Sequence, residues 1–186
     1  MAQIRDYDYD RIEITGARAT WREVLAVYSV EAKTLLDLIK QPLDQLAKDV
    51  KGKLGEMRVD QDMREKGYKR ISVDMIYDLK ENLKKGIDGV YYNPDGKPPY
   101  VIIDAKFNTS QLNPDTADGK QMSKEWIEKR LDDAVGKDKA DDIRAEALTN
   151  PQNIGAYVAH VDTEGKVSYD KLDDKAEVVE KDCKLS

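Results

Sequence analysis

The sequence predicts an α+β fold, an α/β sandwich in which helices flank a central mixed β-sheet. Two features predict this class. Apolar residues between positions 20 and 67 recur at spacings of three and four, which is typical of helices. Between positions 71 and 107, and again between 154 and 169, short runs of β-branched and aromatic residues are typical of strands. A helical pattern at 123–148 separates these two strand regions.

The first part of the chain is predicted to be helical. Thr20, followed by Glu23 three residues later, has the arrangement of a capping box and predicts the start of a first helix. Pro42 breaks the pattern and opens a second helix that runs to Met63, and Gly67 ends it. We interpret residues 1–50 as an N-terminal helical extension.

The middle of the chain changes from helical to strand periodicity. Residues 71–77 predict a first strand. Residues 86–92 and 100–107 predict a β-hairpin, because the turn formers Asn-Pro-Asp-Gly stand between them at 93–96. The polar stretch after this hairpin, as far as residue 120, predicts a loop or an extended hairpin.

The remaining elements complete the sandwich. Ser123 is predicted to cap a helix that ends at Gly136, and residues 140–148 predict another helix. Residues 154–161 and 166–169 predict a second hairpin. We place the core domain at residues 51–170 and expect the acidic stretch 171–186, which is poor in large apolar side chains, to fray.

Composition excludes several kinds of site. The chain has 186 residues, one cysteine and one histidine. A lone cysteine, Cys183, rules out an internal disulfide framework and a Cys-x-x-Cys zinc site, and a lone histidine, His160, rules out the two-histidine metalloprotease motif. The net charge of −6 argues against a protein that coats nucleic acid through its overall charge, but it is compatible with a nuclease that has a locally basic face.

Membrane segments and leader sequences are not expected. The sequence contains no apolar run of about 18 residues, so we expect no stable insertion into a membrane. The first residues also lack the basic and then apolar order of a secretory leader.

The central hairpin carries the residues with the clearest chemistry. Asp88 begins one strand and Asp104 lies near the end of the other, so hairpin pairing should bring the two carboxylates together. Side chains alternate along a strand, so Asp104 and Lys106 should project from the same face. An unpaired buried charge costs several kcal/mol, so two charged side chains on one face of an apolar strand indicate a wet or functional surface.

A third carboxylate can come from the second helix. Gly52 and Gly55 precede Glu56, and two glycines in a helix suggest a close approach to the sheet that would bring Glu56 to the site. Three carboxylates suit Mg²⁺ or Mn²⁺, and carboxylates also bind Zn²⁺. Hydrolysis of a phosphodiester needs such a metal ion together with an amine like that of Lys106.

These residues resemble the PD-(D/E)xK (restriction-endonuclease-like) nucleases. Between residues 52 and 131 the chain is similar, more narrowly, to C-terminal toxin domains of bacterial contact-dependent growth inhibition and related polymorphic toxins. The matching segments are Glu56, Gly86-Ile87-Asp88, Ile103-Asp104-Ala105-Lys106, and Asp118-Gly119-Lys120-Gln121-Met122-Ser123 followed by Trp126-Ile127. One departure is Ile87, which precedes Asp88 where the motif has proline.

The resemblance implies a role for each matching residue. Glu56 and Asp88 would bind the metal ion, and Asp104 would bridge the metal ion and the substrate. Lys106 would be the catalytic lysine, Gln121 would line the site, and the carbonyl oxygen of Ala105 would be a further metal ligand.

The resemblance also implies substrate, partner and location. It implies a DNase, delivered as part of a larger secreted or cell-surface toxin and acting in the cytoplasm of a target bacterium, with a cognate immunity protein as its inhibitor. We expect the segment from Asn108 to Gln121 to form a protruding hairpin that binds this inhibitor by strand addition or pocket insertion, around residues 109–112.

Other interpretations stay open at this stage. An RNase of the same fold would use the same carboxylates and lysine, and a non-catalytic protein-binding module would need them only for structure. The alternative interpretation of Glu56 is a residue on a solvated helix face, since charged residues follow it. His160 is interpreted as a core or edge histidine of a late strand.

Overall fold

The computed structural model describes residues 48–76 and 85–186. The first predicted helix lies outside the described residues, as do the start of the second helix at Pro42 and nearly all of the predicted extension 1–50. The part of the chain that the structure describes contains no helix that is both long and apolar enough to cross a membrane.

The described elements follow the predicted order. The helices are α1 (Lys48–Glu65), α2 (Lys124–Glu128), α3 (Leu131–Val135) and α4 (Lys137–Thr149), followed by a 3-10 turn at Pro151–Asn153. The strands are β1 (Lys69–Arg70), β2 (Gly89–Tyr92), β3 (Tyr100–Phe107), β4 (Ile154–Val161), β5 (Val167–Leu172) and β6 (Val178–Glu180).

These strands form one mixed sheet. Its six strands lie in the order β1-β2-β3-β4-β5-β6. All neighbours are antiparallel except β3 and β4, which run parallel and are connected through α2, α3 and α4. The predicted α+β fold with a mixed sheet is confirmed, and so are both predicted hairpins.

Two buried clusters lie on opposite faces of the sheet. The first combines α2–α4 with one set of strand residues and includes Val90, Ile102, Trp126, Leu131, Ile143 and Val158. The second combines α1 with the alternate strand residues and includes Val59, Met63, Tyr91, Ile103, Phe107 and Tyr157. The sheet is therefore sandwiched between α1 and the three later helices, as alternation along the strands requires.

Local signals explain most helix ends. Gly67, at φ 82°, ends α1, and Tyr68 N donates to Met63 O at 3.0 Å. Ser123 caps α2, since its Oγ accepts from Trp126 N at 3.4 Å. The sequence predicts a single helix from Ser123 to Gly136. The structure instead has two short helices, α2 and α3, which are separated by Lys129 and Arg130.

The first strand is shorter and earlier than predicted. The structure has β1 at Lys69–Arg70 and no strand at residues 71–76, while Tyr77 lies outside the described residues. The backbone N–H groups of Ile71 and Ser72 both donate to the carbonyl of Val90, at 2.8 and 3.2 Å. Two residues against one carbonyl break the regular ladder, so the strand ends there.

The C-terminal residues 171–186 do not fray, and that prediction was wrong. β5 continues to Leu172, and β6 adds a sixth strand to the sheet. Leu185 is 5% exposed and joins the second core cluster, and Cys183 N donates to Tyr169 O at 2.7 Å. A few well-placed apolar residues are sufficient to hold the segment, although its composition is acidic.

The glycine after Asp88 is required by packing. A Cβ at Gly89 would lie 2.5 Å from a ring carbon of Tyr91, which is itself buried. We therefore expect Gly89→Ala to lower the free energy of unfolding by about 1–3 kcal/mol, the usual cost of overpacking. The measurement is urea unfolding followed by circular dichroism.

Gly86→Ala provides the matched control for this prediction. A Cβ at Gly86 would meet nothing within 4 Å, so the free energy of unfolding should change by less than about 0.5 kcal/mol. Equal destabilisation by both substitutions would contradict the packing explanation.

Candidate active site

The central hairpin brings Asp88 to Asp104. Gly89 pairs with Ile103, so the position before β2 stands opposite Asp104. The Asp88 Oδ2 atom accepts a hydrogen bond from Ala105 N at 2.8 Å. Asp88 thus continues the hairpin through its side chain where the backbone ladder has ended, and the predicted proximity of the two carboxylates is confirmed.

Asp104, Lys106 and Gln121 form a closed set of contacts. Asp104 is 0% exposed, and its Oδ2 lies 2.5 Å from Lys106 Nζ. Its Oδ1 accepts a hydrogen bond from the amide nitrogen of Gln121. The Gln121 Oε1 atom accepts from Lys106 Nζ at 3.3 Å. Acid and amine therefore project from the same face of β3, as predicted, and Gln121 holds both.

Glu56 approaches from the helix on the other face of the sheet. A Cβ on the preceding Gly55 would lie 3.6 Å from Phe107 Cβ, an ordinary van der Waals distance, so α1 lies close to β3 at this residue. The expected close approach is therefore confirmed at Gly55. Glu56 is partly buried and interacts electrostatically with Asp104, Lys106 and Arg70. This brings the third carboxylate to the same end of the sheet as the other two.

Burial makes all three carboxylates harder to ionise, and repulsion between carboxylates adds to the effect at Glu56 and Asp88. Burial, reinforced by the charge of Asp104, raises the pKa of Glu56 from 4.5 to about 7, although Arg70, Lys106 and Lys53 oppose the shift. The pKa of Asp88 is raised well above its usual value by burial and then by Asp104 and Glu56. Burial also raises the pKa of Asp104, against the effects of Lys106 and Gln121. A proton or a cation would relieve this repulsion.

The donor types at this site fit a hard divalent cation. Asp88, Asp104 and Glu56 supply carboxylate oxygens, which Mg²⁺ and Mn²⁺ prefer. The backbone N–H of Ala105 donates to Asp88. The N–H and C=O groups of one residue in an antiparallel strand point to the same side, so the carbonyl of Ala105 also faces Asp88. As the side chains now stand, residues 48–76 and 85–186 contain no group of three Asp, Glu, His or Cys residues arranged to hold a metal ion. Asp104 instead directs its oxygens at Lys106 and Gln121.

Arg70 is a positioning residue that the sequence did not reveal. Its guanidinium donates to the carbonyl of Asp88 at 2.6 Å and to the hydroxyl of Tyr91 at 3.0 Å. It also lies near enough to Glu56 to lower the pKa of that carboxyl. Arg70 therefore fixes the backbone that carries one carboxylate and partly neutralises another. Nothing in the sequence distinguishes it from an ordinary basic residue at the end of a strand.

The segment from Asn108 to Gln121 is a loop, one of the two forms that the sequence predicts, and the protruding hairpin that we expected for inhibitor binding is not formed. It contains one isolated bridge, between Thr116 and Gly119. Asp118 binds Lys129 at 2.6 Å and Arg130 at 2.9 Å, which anchors the turn to the junction between α2 and α3. These ion pairs favour a short turn against the helices over two extended strands in solvent.

The same loop also fixes Gln121. The Asn113 N–H donates to Gln121 Oε1 at 2.9 Å, the oxygen that also accepts from Lys106. The guanidinium of Arg130, which holds Asp118, lies 4.3 Å from the centre of the Trp126 ring. The loop therefore positions a residue of the site in addition to offering an exposed surface at residues 108–111.

Comparison of the chain with family models, with curated proteins and with solved structures finds no match. The functional interpretation of this site therefore rests on its residues and their geometry.

The raised pKa of Glu56 predicts a specific dependence of stability on pH. Between pH 4.5 and about 7 the folded protein binds more protons at Glu56 than the unfolded chain does, so stability should fall as the pH rises through this range. Over the whole range, ionisation of Glu56 should lower the free energy of unfolding by about 3 kcal/mol. Glu56→Gln removes it, so the variant should be more stable than wild type at pH 8 and nearly equal at pH 4. Urea unfolding at both pH values measures the difference.

Glu65→Gln is the matched control, since Glu65 is exposed at the end of the same helix. This variant should keep the wild-type dependence on pH. A Glu56→Gln protein that is less stable than wild type at pH 8 would indicate a carboxylate needed for structure.

Proposed function

We propose that this chain is a divalent-metal-dependent endonuclease of the restriction-endonuclease-like type, which hydrolyses phosphodiester bonds in DNA. The observation that carries the proposal is the pairing of Asp104 with Lys106 at 2.5 Å on β3. Asp88, which directly precedes β2, lies beside them and accepts a hydrogen bond from Ala105 N. Glu56, approaching from α1, completes the carboxylate set that such an enzyme needs.

Each residue has a defined task in this reaction. A divalent ion held by Glu56, Asp88, Asp104 and the carbonyl oxygen of Ala105 would offset the charge of the phosphate and acidify a bound water. Lys106 would orient the attacking water through Nζ and stabilise negative charge that develops on the phosphate oxygens. Gln121 would hold the side chains of Lys106 and Asp104 in place relative to each other, because its amide contacts both.

The energetics of the site favour a catalytic over a purely structural role. The pKa values of the three carboxylates are raised by burial, and Asp88 and Glu56 are further affected by neighbouring carboxylates. An arrangement needed only for stability would replace such charges with neutral or apolar groups, since buried charges cost free energy. Clustered carboxylates with shifted pKa values are typical of functional sites.

An RNase of the same fold is the second candidate, because the carboxylates and the lysine act on the phosphodiester and do not distinguish the two sugars. The choice of DNA rests on the resemblance to toxin domains. The same resemblance supports delivery as part of a larger secreted or cell-surface bacterial toxin, action in the cytoplasm of the target cell, and neutralisation by an immunity protein.

The exposed residues Thr109, Ser110 and Gln111 are the proposed contact for that immunity protein. They directly follow β3 and lie close in sequence to Lys106, so a partner bound there would cover the approach to the site. Mutating these exposed side chains is a cleaner test than shortening the loop, because loss of Asn113 would also release Gln121.

Expression of the chain in bacterial cytoplasm tests the proposed function. Induction should degrade chromosomal DNA and arrest growth, while Lys106→Arg, which retains the positive charge beside Asp104, should do neither. Fragmented RNA with intact DNA would favour the RNase. Normal growth with both nucleic acids intact would favour a non-catalytic module.

A further inference from the structure

His160 lies beside Lys106 across the parallel pair of strands. The two residues are register partners, as Asp104 and Val158 are. Register partners on adjacent strands project from the same face of a sheet. Ile102 and Val158 belong to the first core cluster, so Asp104, Lys106 and His160 share the face that this cluster covers. The imidazole is thus one strand away from the amine of the proposed site.

Asp170, itself bonded to the C-terminal segment, is the carboxylate next to this histidine. The Nε2 atom of His160 lies 3.6 Å from Asp170 Oδ2. The other oxygen of Asp170 accepts a hydrogen bond from Asp182 N at 3.0 Å, which fixes the carboxylate. The side chain of His160 is 29% exposed, so the ring lies beside Asp170 while part of it faces solvent. A histidine that served only core packing would not need this accessible position.

The substrate of a nuclease needs a hydrogen-bond donor on this side of the site. Each nucleotide brings a negative phosphate, whereas Glu56, Asp88 and Asp104 are acidic. Lys106 contacts Asp104 at 2.5 Å, and Arg70 donates to Asp88 O and to the Tyr91 hydroxyl. His160 lies on the neighbouring strand, β4, on the opposite side of β3 from Asp88.

We propose that His160, oriented by Asp170, donates a hydrogen bond to a phosphate group of the nucleic-acid strand next to the cleaved bond. Its role is to position the substrate, and it takes no part in the chemical step. This inference rests on the proposed nuclease function and extends the substrate-binding surface across β4 to β5.

Steady-state cleavage of a duplex oligonucleotide tests the proposal. His160→Ala should raise KM about tenfold, as expected for the loss of one charge-assisted hydrogen bond, and leave kcat within about threefold. His160→Lys, which keeps a hydrogen-bond donor at this position, should restore most of the binding. Asp170→Asn should shift KM in the same direction as His160→Ala.

Lys171→Ala is the matched control. Lys171 follows Asp170 on β5, but its register partner Tyr157 belongs to the second core cluster, so Lys171 projects from the opposite face. Its replacement removes a positive charge from the same strand and should leave KM unchanged.

The salt dependence of binding separates a phosphate contact from a structural effect. In a Lys106→Arg background that does not cleave, fluorescence anisotropy measures the affinity for the same oligonucleotide between 50 and 200 mM salt. Adding His160→Lys should make the plot of log affinity against log salt steeper by about one unit, because a lysine that contacts a phosphate releases a counterion. A variant that merely loosened the fold would weaken binding without changing this slope.

The possible outcomes distinguish this inference from the function on which it rests. If wild type cleaves nucleic acid, but His160→Ala leaves KM unchanged and His160→Lys leaves the salt slope unchanged, the role of His160 is wrong and the nuclease proposal stands. A fall in kcat at constant KM would likewise overturn a purely positioning role. If wild type cleaves neither DNA nor RNA, both proposals fail. If His160→Ala does not fold by circular dichroism, His160→Gln takes its place in the same comparison.

Discussion

Lys106→Ala should reduce cleavage about a thousandfold or more, while the protein still binds divalent metal ions. The amine would orient the attacking water and stabilise charge on the phosphate, and such contributions are typically worth two to four orders of magnitude. Lys106 also lies 2.5 Å from Asp104. Removing its positive charge should therefore leave metal affinity unchanged or raise it. Single-turnover cleavage and titration with Mn²⁺ measure the two quantities.

Lys106→Arg separates catalysis from stability in this experiment. Asp104 is fully buried, so alanine at position 106 would leave a buried carboxylate without its cationic partner. Arginine retains the positive charge but carries a planar guanidinium in place of the compact ammonium. This variant should keep wild-type stability and lose cleavage. Full activity in Lys106→Ala would contradict the proposed role of this lysine.

Asp88→Asn and Asp104→Asn should each remove metal binding and cleavage together. Loss of a group that only orients a metal ligand commonly costs 10- to 100-fold in affinity, so loss of a ligand should cost at least about a hundredfold. The affinity for Mn²⁺ by calorimetry, and the rise in melting temperature that Mn²⁺ produces, should therefore both fall. Without metal, Asp88→Asn should be no less stable than wild type at pH 8, because it relieves carboxylate repulsion, whereas Asp104→Asn also removes the anionic partner of Lys106.

Asp95→Asn serves as the control for these two variants, since Asp95 is exposed in the connection between β2 and β3. It changes the same charge in the same hairpin and should affect neither metal affinity nor cleavage. Metal-dependent stabilisation that survives in both Asp88→Asn and Asp104→Asn would place the ion elsewhere.

Local sequence signals were sufficient to predict the centre of the site. The turn formers between the two central strands limit how they can pair, and alternation then sets which side chains share a face. These two constraints place Asp88 next to Asp104, and Lys106 beside it, before any tertiary packing is known. The structure confirms both placements.

The remaining features depend on tertiary contacts that leave no local pattern. Arg70 binds the backbone carbonyl of Asp88. Every residue has a backbone carbonyl, so the sequence gives no sign of this contact. The position of His160 next to Lys106 depends on the register of a parallel pair, which is set by a long helical connection. The C-terminal segment packs against the core because Leu185 is buried there, and the average composition of the segment does not reveal this.

Incubation of the purified chain with supercoiled plasmid, in parallel with total RNA, tests the central claim most directly. Each substrate receives Mg²⁺, Mn²⁺, Zn²⁺ or EDTA, and Lys106→Arg is purified and assayed alongside to account for contaminating nucleases. We expect nicked and linear plasmid with at least one metal ion, none with EDTA or with Lys106→Arg, and intact RNA. Plasmid and RNA that both stay intact with every ion, or equal cleavage by Lys106→Arg, would contradict a metal-dependent nuclease at this site.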